Sequence, residues 1–156
     1  MLLEGRRILI TGVLDTRSIA FHVAREAQEQ GAEIVLTGFG RGRRLTERAA
    51  TRLPGPVDVL ELDVTDDAHV AAVAADLGRR WGALDGVLHA VAFAPDTALG
   101  GGFLTAPWSD VATAVHCQRR VDAHARARMA STVHSNQFKK SSLPNARSSS
   151  STPRSG

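Results

Sequence analysis

Short apolar runs and stretches of helical periodicity alternate without a break over residues 6–93, and that alternation limits the fold more than any other feature. RRILIT (6–11), AEIVLTG (32–38), VDVLELD (57–63) and LDGVLHAVAF (84–93) are each of strand length. Their apolar residues are close to continuous, as in strands covered on both faces of a parallel sheet. From Ser18 the spacing becomes helical: Ile19, Val23, Ala24 and Ala27 share one side, Arg25, Glu26 and Glu29 the other, and Gly31 ends the run. An arginine-rich helix is predicted from about Gly42 to Leu53, stopped by Pro54. The stretch TDDAHVAAVAADLGRRW (65–81) opens on a Thr/Asp cap signature and runs as a helix to Gly82. The order β-α-β-α-β-α-β predicts an α/β fold, a doubly wound parallel sheet of about four strands with right-handed crossovers and helices on both faces.

Beyond Phe93 a glycine-rich loop, APDTALGGGFLTAP (94–107), leads into a predicted helix from Trp108 to about His116, and at Cys117 the character of the chain changes. Residues 1–117 carry 11 Arg, no Lys and 15 acids, a net −4, whereas residues 118–156 carry six Arg, two Lys and one acid, Asp122, a net +7. The tail also holds every Asn and 9 of the 11 serines, shows no sustained period, and reads as disordered from about residue 130. The chain therefore divides into a folded portion, 1–117, and a basic, Ser-rich tail, 118–156. So abrupt a break is what a shifted reading frame or a foreign terminal extension gives. A nucleic-acid-binding arm would rest on charge alone, because the tail lacks the aromatics or helical register of recognition segments.

A chain of 156 residues, 43% apolar, has room for one domain with a real core. No apolar stretch has the length of a membrane span or the form of a signal peptide, so a cytoplasmic address is expected. The single Cys117 allows no intramolecular disulfide and reads as a small hydrophobe.

The segment ITGVLDTRSIAFHVA (10–24) joins the first strand to the first helix, where dinucleotide-binding proteins carry several glycines; here Gly12 stands alone. A strand feeding a helix N-terminus gathers unpaired N–H groups and the positive end of the helix dipole at one point, which favours an anion such as a pyrophosphate. Gly12 supplies the sharp turn. Ser18 stands where a second glycine would, its hydroxyl able to cap the helix and to donate to a phosphate oxygen. The alternative is a plain strand-to-helix turn with a serine cap.

In a doubly wound sheet a ligand lies across the C-terminal strand ends, so the residues just after each strand supply the site. After the second strand comes Gly38-Phe39-Gly40, with a ring suited to an adenine face. After the third comes Asp63-Val64, whose carboxylate can accept from the adenine amino group. After the fourth comes HAVAFAP (89–95), small residues that let the backbone run beside ribose and nicotinamide. Singly, Phe39 is a core ring, Asp63 a helix cap, and Ala90 and Ala92 close-packing residues; at successive strand ends they point together to a dinucleotide. An acid after the second strand favours NAD and arginines favour NADP. This chain has Gly40 there, followed by Arg41, Arg43 and Arg44, which are otherwise the solvated first turn of a helix.

RRILITGVLDTRSIAFHVAREAQEQGAEIVLTGF (6–39), LELDV (60–64) and LDGVLHAVAFAP (84–95) closely resemble the NADH-dependent enoyl-acyl carrier protein reductases of bacterial fatty-acid and mycolic-acid synthesis, a divergent Rossmann-type branch of the short-chain dehydrogenases. The resemblance covers residues 1 to about 117, and the long turn from Gly12 to Ser18-Ile19-Ala20 is specific to that branch. It implies cofactor contacts at Gly12, Ser18, Ile19, Phe39, Asp63, Val64 and Val91, and substrate contacts at Phe93 and Ala94. Many members have Ser and Gly where this chain has Ala90 and Ala92. The implied cofactor is NADH, with the arginines leaving NADPH open. The implied partners are an enoyl substrate on acyl carrier protein or CoA and, for the intact enzyme, three further copies in a homotetramer. Neither membrane, metal nor nucleic acid is expected.

The chemistry this resemblance implies is hydride transfer to the β-carbon of a trans-2-enoyl thioester, with a tyrosine hydroxyl on the enolate oxygen and a lysine on the cofactor ribose. Such an oxygen needs a donor where its charge develops. This chain has no tyrosine, and Lys139 and Lys140 both lie in the tail. No catalytic residue is therefore assigned, and the catalytic half is expected to be missing. The alternatives are a catalytically silent nucleotide-binding remnant and a different short-chain reductase acting on a ketone or alcohol. His22 and His116 read as surface or packing residues, and Ser109 and Asp110 as part of a helix start, with no base placed for a serine nucleophile.

Overall fold

The computed structural model of the protein describes residues 1–116; Cys117 and the tail expected to be disordered, 118–156, lie outside the described residues. Strands β1 (Arg7–Thr11), β2 (Glu33–Gly38), β3 (Asp58–Glu61) and β4 (Gly86–His89) alternate with helices α1 (Ile19–Glu29), α2 (Gly40–Ala50) and α3 (Asp67–Trp81). All pairings are parallel and the strand order is β3-β2-β1-β4. The chain steps outward from β1 to β2 to β3, then crosses back over β1 to β4. The direction of winding therefore reverses between β1 and β4, which is the switch point where a doubly wound sheet opens a crevice at its C-terminal edge.

Successive side chains of each strand point to opposite faces, and each face has its own core. Ile10, Ile34 and Leu36 pack with Ala20, Phe21, Ala24 and Ala27 of α1 and Ala49 of α2. Leu9 and Val35 pack on the other face with Val70, Val73 and Leu77 of α3 and with Leu62 and Val64. Complete burial of Ile10 and Leu36 stabilises the sheet by roughly 2–3 kcal/mol each. At the N-terminal edge the Asp85 carboxylate accepts from the Arg7 N–H and from Arg6 Nη1, both at 2.9 Å, fixing β4 beside β1 at the end remote from the crevice.

Several limits differ from those predicted. The buried face of α1 is Ala20, Phe21, Ala24 and Ala27, while Ile19 and Val23, expected on it, are 79% and 39% exposed. Ala24 and Ala27 are buried as expected, and Ala20 and Phe21 complete the contiguous band with them, which rotates the stripe away from Ile19. Helix α2 begins at Gly40, not Gly42, because Phe39 is still extended at φ −133° and the helix starts directly after it. The β3 run was expected to reach Asp63 and the β4 run Phe93. Pairing stops at Glu61 and His89, because β1 turns away after Thr11 and leaves β4 no partner beyond His89. The loop expected after Phe93 contains two 3-10 turns, Asp96–Ala98 and Gly100–Thr105, before helix 108–116.

Candidate functional site

The turn after β1 is set by Gly12, which adopts φ +83°, a left-handed conformation that L side chains rarely take. A Cβ at this position would lie 2.2 Å from the Ala90 carbonyl oxygen and 3.1 Å from the Val91 nitrogen, so the glycine also admits the chain leaving β4. Val13, fully buried, anchors the turn to the core, and its carbonyl accepts from Thr46 Oγ1 of α2 at 2.5 Å. Asp15 then closes a local loop, accepting from the Arg17 N–H at 2.8 Å and from the Arg17 guanidinium, bonds that hold its carboxyl below the usual carboxylate range.

Ser18 caps α1: its Oγ accepts from the Phe21 N–H at 3.3 Å and donates to the Asp15 carbonyl at 2.8 Å. The cap expected of it is present. Its proton is already committed within the turn, so donation to a ligand would compete with the Asp15 carbonyl. The donors that stay open are the Ile19 and Ala20 N–H groups of the first turn, which no acceptor among the described residues takes. Beside them the Leu14 and Ile19 side chains are 54% and 79% exposed.

At the ends of β2 and β3 the Phe39 ring is half-exposed and meets the edge of the His69 ring, centroids 5.8 Å apart. It is therefore not a core ring. His69 Nδ1 accepts from the Asp63 N–H at 3.1 Å, so one imidazole of α3 supports both the ring after β2 and the backbone after β3. The Asp63 carboxylate accepts from the Thr65 hydroxyl at 2.7 Å and the Thr65 N–H at 2.8 Å, both at Oδ1, and the hydroxyl is the larger cause of its depressed pKa. This carboxylate does not cap the next helix, for Asp66 is the α3 cap. Val64 is 7% exposed, its side chain packed among the α3 residues, so its backbone is the part that can meet a ligand.

After β4 the chain runs through Val91, partly buried against the α3-side core, to Phe93, 54% exposed, and Ala94, partly buried. Thr11, fully buried, bridges β1 and β4 just below Gly12: its Oγ1 accepts from the Ala90 N–H at 3.2 Å and lies 3.3 Å from the Leu88 carbonyl and 3.1 Å from His89 Nδ1. Gly12, Ser18, Phe39, Asp63 and Val91 thus follow successive C-terminal strand ends along one edge. Sequence reasoning did not single out Thr11, Thr46, His69 or Glu61, which brace it. Trp108 is 79% exposed, His22 and His116 are exposed, and no group of His, Cys, Asp or Glu among the described residues could hold a metal ion.

A profile of the family described as enoyl-(acyl carrier protein) reductase matches residues 12–151, most of the chain and including residues beyond 117. The chain belongs to the enoyl-(acyl carrier protein) reductase family. The protein named enoyl-acyl-carrier-protein reductase (NADH) of Mycolicibacterium smegmatis is 44% identical over 137 residues, covering 85% of this chain and 49% of that protein. The FabI proteins of Neisseria meningitidis and Escherichia coli K12, which carry the same name, are 41% and 37% identical over 103 and 107 residues, covering 65% and 67% of this chain and 39% and 40% of their own lengths. This family member therefore spans less than half the length of each of these relatives. No helix among the described residues is long and apolar enough to cross a membrane.

Proposed function

We propose that the chain binds NADH across the C-terminal edge of its sheet and serves enoyl-thioester reduction in fatty-acid biosynthesis, in the cytoplasm. The observation that carries this is the turn from Gly12 to Ser18, which leaves the Ile19 and Ala20 N–H groups open at the switch point between β1 and β4. When bound, NADH supplies the hydride for the β-carbon of a trans-2-enoyl thioester. The first turn of α1 holds the pyrophosphate, with Ser18 and Asp15 fixing the donors and Gly12 allowing the close approach. Phe39 takes one face of the adenine, and the Asp63 carboxylate, ionised at neutral pH, accepts from its amino group through the oxygen that Thr65 leaves open. The backbone of Val64 and Val91 completes the groove. Phe93 and Ala94 border the reacting end and exclude water from it. The substrate is carried as an acyl carrier protein or CoA thioester, and assembly as a homotetramer is the form the family likeness implies.

The sequence has no tyrosine, and its lysines are Lys139 and Lys140. That favours a second reading, in which the chain by itself binds the nucleotide without turnover, the enolate oxygen lacking a donor. Calorimetric titration with NADH tests the first claim: a saturable heat at one site per chain supports it, and none overturns it. Measurable enoyl-thioester-dependent NADH oxidation by the purified chain would overturn the second.

A further inference from the structure

We propose that Glu61, carried by β3, determines cofactor choice by standing where the 2′-phosphate of NADPH would sit, so that the site takes NADH. This rests on the dinucleotide site proposed above. The sequence offers no acid directly after β2, yet the fold brings one there: Glu61 is in register with Gly38, the last residue of β2. Its Oε1 accepts from the Gly40 N–H at 3.3 Å and its Oε2 from Arg43 Nη1 at 2.6 Å. Those are the donors that a phosphate at the start of α2 would use, an open helix-terminal N–H and a guanidinium. A carboxylate already fills them, and the Arg43 bond holds it ionised. Arg43 is engaged on its other side by Glu47 through Nε at 2.9 Å, so the guanidinium expected to attract a phosphate has two internal anions. Arg41 and Arg44 are exposed at the surface, where attraction to a phosphate is solvent-screened. Occupied donors and a fixed negative charge next to the ribose outweigh them. The ribose 2′-hydroxyl of NADH, an uncharged donor, is by contrast well matched to a carboxylate.

The test is calorimetric titration of the full chain, of Glu61→Gln and of Glu61→Ala with NADH and with NADPH, each variant checked for cooperative unfolding. The wild-type chain is expected to bind NADH and to bind NADPH at least about tenfold more weakly, the scale of one unfavourable charge contact. Glu61→Ala should narrow that ratio by about tenfold while moving the NADH dissociation constant by no more than about threefold, and Glu61→Gln should narrow it less because its carbonyl still accepts. A purely supporting role for Glu61 would weaken both nucleotides together and leave the ratio unchanged. That result, or equal wild-type affinities, overturns the proposal alone. Absence of NADH binding to the folded wild-type chain overturns the dinucleotide site itself.

Discussion

Gly12 is constrained twice, by its positive φ and by the Ala90 carbonyl that a Cβ would strike. Gly12→Ala should therefore cost at least about 2 kcal/mol, combining left-handed strain with a backbone clash, read as a fall in urea unfolding midpoint. Phe39 is the reverse case. Its ring is half-exposed and meets the edge of His69, so Phe39→Ala should cost less than about 1 kcal/mol of stability yet weaken NADH binding about tenfold, the worth of one stacked aromatic face. Comparing unfolding with titration separates the two. Gly12, Ser18, Phe39 and Asp63 could be read from the sequence because each is a residue type demanded by its own place beside a strand end. Thr11, Thr46, His69 and Glu61 could not: a hydroxyl meeting a carbonyl 33 positions away, or an acid meeting the next strand's turn, depends on which strands become neighbours.

The helix caps allow a test of how far the elements contribute separately. Ser18→Ala and Asp66→Ala each remove a side-chain acceptor from a first-turn N–H, at Phe21 and Ala68. Each should lower stability by about 1 kcal/mol. Only the Ser18 change should also weaken NADH binding, since α1 and not α3 aims its N-terminus at the switch point. Titration of both variants checks this, and equal effects on affinity would remove α1 from the site. The order of elements was legible because the switch from near-continuous apolar runs to a 3.6-residue spacing is local. Their ends were not. The apolar run 84–93 looks uniform, but its pairing ends where β1 turns, and Leu62 and Val64 are apolar because they enter the α3-side core after β3 has ended. In the α1 stripe Ala24 and Ala27 are buried as expected, but Ala20 and Phe21 stand in place of Ile19 and Val23, because alanines, weakly apolar in sequence, fill the closest contact with the sheet.

At the scale of the whole molecule, four carboxylates among the described residues titrate below their ordinary range: Asp15 through the Arg17 N–H, Glu61 through the Arg43 guanidinium, Asp63 through the Thr65 hydroxyl and Asp85 through the Arg7 N–H. A depressed folded-state pKa contributes stability that is present above the unfolded value, near pH 4 for these groups, and is lost as pH falls through the folded value. Unfolding midpoints should thus be level between about pH 5 and 8 with respect to these groups and fall below about pH 4. Urea unfolding across that range checks it, and a decline beginning near neutrality would assign the pH dependence to other groups. Asp85 lies at the N-terminal end of the β1–β4 seam, Asp15 in the turn after β1, and Glu61 and Asp63 at the C-terminal end of β3, so acid weakens that end of the seam, the turn and the β3 end alike.

The Thr11 hydroxyl gives that seam a mechanical property. Main-chain pairing stops at the last β1 residue, and there a buried side chain stitches the two strands once more. Prying them apart to admit a guest would strand a hydroxyl and an amide without water, so the floor of the groove stays shut and rigid. Adjustment to an incoming nucleotide must come from the loops above it, 13–18 and 90–99, moving over a base that does not yield.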